Sequence, residues 1–337
     1  MLKKAMIMAA GVGSRLEPLS SVVPKPLVPL ANMPTMDILV KHLASFGIKN
    51  IIANTFHKAE AIQEHYRTND FGVDFEFIKE TELSGTAGGV KKCQFFFEEG
   101  QDFLIMSGDG LTDIDINKAY ESHKKSGSIA TIVLKKIDKK ETFKYGIVVP
   151  DENGFVEIFQ EKPPIGEARS NLANTGIYIF NYKIFDFIPE NTFYDFAKNV
   201  FPAISVSGLP INTYEHKGYW SDIGSLDQYH QSNIDLQNHI LNSYKPNVTK
   251  TFLGKYTKGK NLELNDGVTI KGNCIFGDNC KIGKNAKIKN SIIWDNVTIG
   301  NDVTVENSII LTNCVIEDSI KNQIISENTK KEHLITV

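Results

Sequence analysis

The stretch Ala9-Ala10-Gly11-Val12-Gly13-Ser14-Arg15-Leu16-Glu17-Pro18-Leu19 is followed closely by Pro24-Lys25-Pro26-Leu27-Val28-Pro29. It comes directly after the short apolar run Ala5–Ala9, so a strand runs into a glycine turn. Leu16 stands where a dinucleotide fingerprint needs its third glycine, and no Gly-Lys-Ser/Thr follows to make a P-loop. What remains is a strand, a glycine turn, one Arg and, ten residues on, one Lys. Glycines let backbone N–H groups come close to a phosphate. Arg15 offers a forked donor and Lys25 a point charge. The chain has only three arginines, at positions 15, 67 and 169, so one placed here is poorly explained as surface filler.

Strand and helix patterns alternate beyond this stretch. Ile38–Phe46, Ala59–Tyr66 and Gly88–Phe97 have helical spacing. Asn50–Asn54, Val73–Ile78 and Phe103–Met106 read as strands, the last ending at Ser107-Gly108-Asp109. Such alternation predicts an α/β domain with a mostly parallel sheet. Ligands of such sheets bind at the carboxyl ends of the strands. The loops Gly11–Arg15, Gly85–Gly89 and Gly108–Asp113 should therefore gather on one edge. Phe95-Phe96-Phe97 reads as core or interface, and Asp113 and Asp115 as turn and N-cap residues.

Residue usage changes near position 243. Residues 1–240 hold 14 Asn, and the remaining 97 positions hold another 14 with no Arg. The later segment is +3 and the first 240 residues are −6. Leu264, Ile270, Phe276, Ile282, Ile288 and Trp294 are six apart; one residue is then dropped, and Ile299, Val305 and Leu311 resume the period. A second apolar or small series accompanies them: Val268, Cys274, Cys280, Ala286, Ile292, Val297, Val303, Ile309 and Val315. A six-residue period predicts a parallel β-helix of hexapeptides. Asn and Gly suit its corners because they tolerate φ > 0. Cys274 and Cys280 then read as small interior residues.

The 337 residues are 41% hydrophobic and 23% charged, and the net charge is −3. This fits a folded chain of about two domains and gives no basic excess for DNA or an anionic membrane. Four cysteines are too few for a disulfide scaffold, and a reducing cytoplasm is the expected setting. The apolar start is interrupted by glycines and Arg15 well short of a spanning helix.

Taken in order, these motifs resemble those of the sugar-1-phosphate nucleotidyltransferases, whose opening signature is close to G-x-G-[TS]-R-L-x-P-L followed by P-K-P. The resemblance implies that Ala9, Ala10, Gly11, Gly13 and Ser14 cradle a nucleoside triphosphate, with Arg15 and Lys25 balancing charge as pyrophosphate leaves. Gly85-Thr86-Ala87-Gly88 resembles the family's G-T-A-G segment, which puts Gly85, Thr86 and Gly88 at the nucleobase and Gly108 in the nucleotide set. Leu83-Ser84 departs from the Pro-Leu that many members carry there. Asp109, and Asp222 in Tyr219-Trp220-Ser221-Asp222-Ile223-Gly224, match the two aspartates that bind Mg²⁺ in the family. Mg²⁺ favours few carboxylates with phosphate oxygens and water. Phe159-Gln160-Glu161-Lys162-Pro163, Tyr145-Gly146 and Asn174-Thr175-Gly176-Ile177-Tyr178 resemble sugar-phosphate segments, implicating Gly146, Glu161, Lys162, Asn174 and Thr175. His57 resembles a recurrent family position without an assigned role.

The implied fold is a Rossmann-like α/β nucleotidyltransferase domain followed by a short left-handed parallel β-helix. The expected divisions are a catalytic domain at 1–242, a linker at 243–262, the β-helix at 263–316 and a tail at 317–337. The implied reaction is Mg²⁺-dependent transfer of a nucleotidyl group from an NTP to a sugar-1-phosphate. The motif set leans toward mannose-1-phosphate and GTP, while the segment from Lys144 through Phe201 also resembles glucose-1-phosphate uridylyltransferases. Adenylyl or thymidylyl transfer remains an alternative, as does a regulatory paralogue that only binds nucleotide-sugar. An acyltransferase on the β-helix would need a basic histidine on its coils, and after residue 240 only His333 is present. The exposed ends of a short solenoid predict a homo-oligomer.

Overall fold

The structure, a computed structural model, describes residues 1–327 and the strand Thr329–Glu332; His333 lies outside the described residues. Apart from the two-residue strands Pro29–Leu30 and Met33–Pro34, the first strands in chain order are β1 (Lys4–Ala9), β2 (Asn50–Thr55), β3 (Asp74–Lys79), β4 (Asp102–Ser107), β5 (Gly110–Thr112) and β6 (Ala130–Lys136). They continue with β7 (Gly146–Pro150), β8 (Val156–Glu161), β9 (Leu172–Asn181), β10 (Ile211–His216) and β11 (Trp220–Asp222). Near-continuous apolar runs such as β1 and β4 suit strands covered on both faces. β1 pairs in parallel with β2 on one side and β4 on the other, and β3 is parallel beyond β2. On the far side of β4 the sheet turns antiparallel through β9, which pairs β4, β6 and β7. Nine strands form this sheet among the described residues. The expected α/β class holds.

Helices stand where the spacing placed them, with shifted ends. Ala59–Thr68 and Thr35–Ser45 are helical. The helix expected over Gly88–Phe97 instead spans Gly85–Lys92 (α1), and Gln94–Phe96 forms a separate 3₁₀ turn. Phe96 and Phe97 are core residues, whereas Phe95 is exposed. The stretch Gly108–Asp113 is not wholly a loop, because its centre forms β5 and pairs with β11. No helix among the described residues is long and apolar enough to cross a membrane.

Packing divides the chain into two compact units that do not follow chain order. One comprises residues 1–12 and 39–222, and the other residues 13–38 and 223–337 as far as they are described. The second unit contains the β-helix. Parallel ladders join Leu264, Ile282, Ile299 and Ile316 on one side, and Ile270, Ile288, Val305 and Ile320 on the next. The third side joins Ile275, Ile292, Ile309 and Ile324. Parallel pairing runs from Gly254–Lys258 to Gln323–Ser326.

The interior corrects the phase of the repeat. Its inward residues include Phe276, Ile282, Ile288, Ile293, Ile299, Val305, Ile310 and Ile316. The step from Ile288 to Ile293 is five residues, so the dropped residue lies before Trp294 rather than after it. Trp294 and Leu311 are buried but stand outside the interior cluster, as do Ile292 and Ile309. Leu264 and Val315 are exposed, and Cys314 points inward in place of Val315. The cause is a side whose outer face is also covered. The helix Leu226–Gln237 lies there, with Trp294 Nε1 donating to Tyr229 Oη at 2.9 Å and Gln237 Nε2 donating to the Cys274 carbonyl at 2.7 Å. A strand covered on both faces is apolar at consecutive positions, and periodicity alone cannot tell which face is inside. All four cysteines are free and buried, and burial pushes the Cys274 and Cys280 thiols up to about 11.

The corners hold the coils in step. Asn261, Asn279, Asn296 and Asn313 all have left-handed φ, between 55° and 63°. Each donates its side-chain amide to the next: Asn261 to Asn279 at 2.9 Å, Asn279 to Asn296 at 3.0 Å and Asn296 to Asn313 at 3.0 Å. A second corner stacks Asn285 on Asp302, and a third stacks Asn307 on Asn322. The expected use of Asn at the corners is met. Asn296→Gly removes two ladder bonds but keeps the backbone conformation, and should cost about 1 kcal/mol. Asn296→Ala adds a left-handed penalty of about 1–2 kcal/mol. Urea denaturation should rank wild type above Gly above Ala; equal Gly and Ala values would show that the backbone angle is not the constraint.

Candidate active site

The carboxyl edge of the first unit's sheet is shaped by close backbone approaches. Gly108 follows β4, and its N–H donates to the Met8 carbonyl at 2.9 Å. A Cβ on Gly108 would stand 2.8 Å from that oxygen, so only glycine lets β4 end this close to β1. Ala9 ends β1 and Ala10 follows it, both buried, and Gly11 is exposed with open space where a Cβ would stand. Gly85 begins α1 with φ 78°, and its Cα faces the Tyr194 backbone, where a Cβ would clash at 2.4 Å. The Ala87 and Gly88 N–H groups both donate to the Tyr194 carbonyl. The Thr86 hydroxyl donates to Asp195 at 2.8 Å and accepts from the Phe196 N–H at 3.0 Å. These groups of the G-T-A-G segment are therefore engaged by residues 194–196.

Asp109 and Asp222 come together at the end of one short ladder. β5 and β11 pair antiparallel, and Asp222 lies opposite Gly110, the residue after Asp109. Asp109 accepts from the Ser107 hydroxyl at 2.5 Å. Asp222 Oδ1 accepts from the Tyr145 hydroxyl at 2.9 Å. The Tyr145 ring meets Trp220 edge-on, with centroids 5.4 Å apart. Asp115 is the N-cap of the helix Ile116–Ser126, as expected, accepting from the Lys118 N–H. Asp113 does more than close a turn. It accepts from His216 Nε2 at 2.9 Å and from the Tyr219 N–H at 2.5 Å. It thereby ties the end of β10 to the start of β11.

Gly146, Glu161 and Lys162 also form one group. The pairing of β7 with β8 sets Glu161 opposite Gly146. A Cβ on Gly146 would fall 2.9 Å from the Phe159 ring and 3.0 Å from Glu161 Oε2. Burial pushes the Glu161 carboxyl up, and the Lys162 ammonium 3.8 Å away opposes that shift. Lys162 has φ 46°, a conformation costly for a side chain with a Cβ, and its N–H donates to the Tyr145 carbonyl. Asn174 and Thr175 shape a bulge in β9. Asn174 donates to Tyr178 Oη and accepts from the Gly176 N–H, while the Thr175 hydroxyl donates to the Val133 carbonyl. Gly176, at φ 71°, sits against Ser107 at the end of β4.

Gly13, Ser14, Arg15 and Lys25 belong to the second unit. Gly13 has φ 76° and lies against the Lys25 side chain, where a Cβ would be 3.0 Å from Lys25 Cβ. Ser14–Leu16 is a 3₁₀ turn with Ser14 and Arg15 exposed. Lys25 is half-buried in the turn Lys25–Leu27. The tight turn that follows uses left-handed Ala31 and Asn32. Asn233 holds it by accepting from the Ala31 N–H at 2.7 Å, and Asn32 donates to the Phe276 carbonyl at 2.7 Å.

Residues 4–239 match the family model for nucleotidyl transferases, and residues 252–335 match the GMPPB C-terminal domain. The chain belongs to the sugar-1-phosphate nucleotidyltransferase family. It is 37% identical to a UTP–glucose-1-phosphate uridylyltransferase of Synechocystis sp., over 85% of this chain and 76% of that one. It is 31% identical to a mannose-1-phosphate guanyltransferase of Schizosaccharomyces pombe, over 84% and 74%. The solved structure of HddC from Yersinia pseudotuberculosis complexed with GMP-PN is 26% identical, with a TM-score of 0.60 over 69% of this chain and 99% of that one.

Sequence reading missed His216 and gave Asp113 too small a part. Asp113 and His216 are 103 residues apart, and no local pattern signals their pairing. Asp113→Ala should cost about 1–3 kcal/mol by leaving the Tyr219 N–H without its acceptor. Amide exchange across 216–222 should quicken with it. Exchange unchanged in that segment would show that the turn into β11 is held by other contacts.

Proposed function

We propose that this chain transfers a nucleotidyl group from an NTP to a sugar-1-phosphate, releasing pyrophosphate. The observation that carries the reading is the meeting of Asp109 and Asp222 at one end of the β5–β11 ladder, in a chain of this family. The donor set fits Mg²⁺. Among the described residues no cluster of three or more metal-ligating side chains occurs, and Mg²⁺ is usually held by one or two carboxylates, with substrate phosphates and water completing its shell. Asp109 and Asp222 would hold it. When bound, the ion supplies positive charge that neutralises the phosphate oxygens.

A phosphate oxygen of the sugar-1-phosphate attacks the α-phosphorus of the NTP. The new P–O bond forms as the bond to the bridging oxygen breaks and pyrophosphate departs with its electron pair. Positioning and charge stabilisation dominate such transfers. Arg15 and Lys25 stabilise charge developing toward pyrophosphate. Lys162 holds the sugar phosphate, and Glu161 accepts sugar hydroxyls. The Tyr145 hydroxyl on Asp222 Oδ1 fixes the rotamer of that carboxylate. The glycine loop, Gly85–Gly88 and Gly108 line the nucleotide.

For the substrate pair, we take UTP with glucose-1-phosphate first, because the uridylyltransferase relative shares 37% identity while the guanyltransferase of Schizosaccharomyces pombe shares 31%. GTP with mannose-1-phosphate is the second reading, favoured by the motif set and by the match of residues 252–335. A pyrophosphate-release matrix of four NTPs against glucose-, mannose-, galactose- and N-acetylglucosamine-1-phosphate decides between them. Release with none of the sixteen pairs would leave the regulatory-paralogue reading. Asp222→Asn and Lys25→Ala should each lower kcat/KM by about two orders of magnitude or more; near-full turnover at saturating Mg²⁺ would remove them from the site. We further propose a homo-oligomer built through the β-helix, where Leu264 and Val315 are exposed, as are Phe252 and Leu253 just before its first parallel strand. Sedimentation velocity at micromolar concentration should give at least a dimer, and a monomer would overturn this.

A further inference from the structure

Lys25 stands at the start of a path of bonds that stays within its own unit. Its carbonyl accepts from the Val28 N–H. The Val28 carbonyl accepts in turn from the Thr35 N–H at 3.1 Å and the Thr35 hydroxyl at 2.9 Å. Between Val28 and Thr35 the chain makes a hairpin, with Pro29 opposite Pro34 and Leu30 opposite Met33. Its two-residue tip is Ala31 at φ 46° and Asn32 at φ 71°. Left-handed backbone is costly for a residue with a Cβ. Ala31 is fully buried, and it has no polar side chain to offset that cost.

Three side chains hold this tip. Asn233 is 1% exposed in the helix Leu226–Gln237, and its Nδ2 donates to the Tyr229 carbonyl at 2.8 Å. That bond fixes which end of the amide faces the hairpin, so Oδ1 accepts from the Ala31 N–H at 2.7 Å. Tyr244 Oη donates to the Ala31 carbonyl, and burial pushes its phenol up to about 12, which keeps it a donor. Asn32 Nδ2 donates to the Phe276 carbonyl of the β-helix at 2.7 Å. Both backbone polar groups of a strained alanine are thus met by residues more than two hundred positions later. Such a conformation persists only where its surroundings over-determine it.

We propose that Asn233 is a positioning residue for Lys25. By holding Ala31 in its left-handed conformation it sets the hairpin and, through Val28, the backbone on which Lys25 stands. The inference rests on the function proposed above, in that Lys25 is taken to bear on the departing pyrophosphate. Asn233 needs no contact with substrate. Through it and the bond from Asn32 to Phe276, the helix Leu226–Gln237 and the β-helix take part in catalysis as well as in assembly.

The test is a double-mutant cycle, read in kcat/KM for pyrophosphate release and in the Kd of inorganic pyrophosphate with Mg²⁺ by titration calorimetry. N233A should lower kcat/KM about tenfold and raise the pyrophosphate Kd by about as much, the scale of one lost hydrogen bond. In a K25A background the same substitution should change either quantity by less than about twofold, because the group it positions is gone. In a K162A background it should keep its full effect on kcat/KM. A31G holds a positive φ without the penalty, and should return N233A to within about threefold of wild type. An N233A effect as large in K25A as in wild type overturns the proposal, because it then does not pass through Lys25. Wild-type kcat/KM and Kd in N233A overturn it too, as does A31G restoring nothing. If N233A does not fold, N32G, which keeps the turn and removes the bond to Phe276, takes its place in the cycle and the same outcomes decide. A chain that binds pyrophosphate but never releases it from an NTP would sink the proposed function and leave the Kd cycle to decide this inference. Wild-type binding and turnover in K25A would overturn the part given to Lys25, and this inference with it.

Discussion

The nearness of β4 to β1 at Gly108 is the constraint on which the carboxyl edge of the sheet depends. A Cβ there would stand 2.8 Å from the Met8 carbonyl oxygen, inside any allowed contact. With glycine, the N–H donates to that same oxygen, and the chain turns at once into Asp109 and β5. β5 then serves as the template for β11, which brings Asp222 from more than a hundred residues away to the neighbour of Asp109. Ser107, Tyr145, Asp113 and His216 each fix one part of that short ladder. A two-stranded ribbon is marginal alone in water, so these side-chain bonds account for its definition.

The same logic of spare space filled by backbone recurs at Gly85, Gly89 and Gly146. Each lies where a neighbouring group occupies the volume of a Cβ: the Tyr194 backbone at Gly85, the Asn54 amide at Gly89 and the Phe159 ring at Gly146. Gly13 and Gly85 also adopt positive φ, which a residue with a Cβ holds only at a cost. The glycines of the motif run thus have two separate physical uses, conformation at some positions and proximity at others.

Much of the α/β unit was legible in sequence because β1, β2 and β4 are dense apolar runs between helical patterns, and that density follows from burial on two faces. The β-helix was legible from its period and its asparagines. Its phase was not, because Ile292, Trp294 and Ile309 pack on an outer face that is also covered. The ends of the ladder at Asp109 and Asp222 could be named from motifs, whereas their tethers could not. Asp113–His216 joins residues far apart in the chain, and each member alone looks like an ordinary polar residue at a strand end. Asn174 and Thr175 were legible as a motif, but their side chains form the β9 bulge.

The corner columns of the β-helix carry a consequence for how such a chain can vary in length. Bonded corner residues are 18 positions apart in the first coil, 17 in the next ones and 15 at the last. The flat sides absorb these differences, since Gly272 and Asn279 are seven apart in the first coil while Asn290 and Asn296 are six apart in the next. A single deletion on a side is therefore compatible with the columns, whereas a deletion at a corner moves every later asparagine off its stack. Gain or loss of an entire coil leaves each column continuous. The solenoid is in this sense a modular part whose natural unit of change is the full turn, and relatives with more or fewer turns can share the same corners.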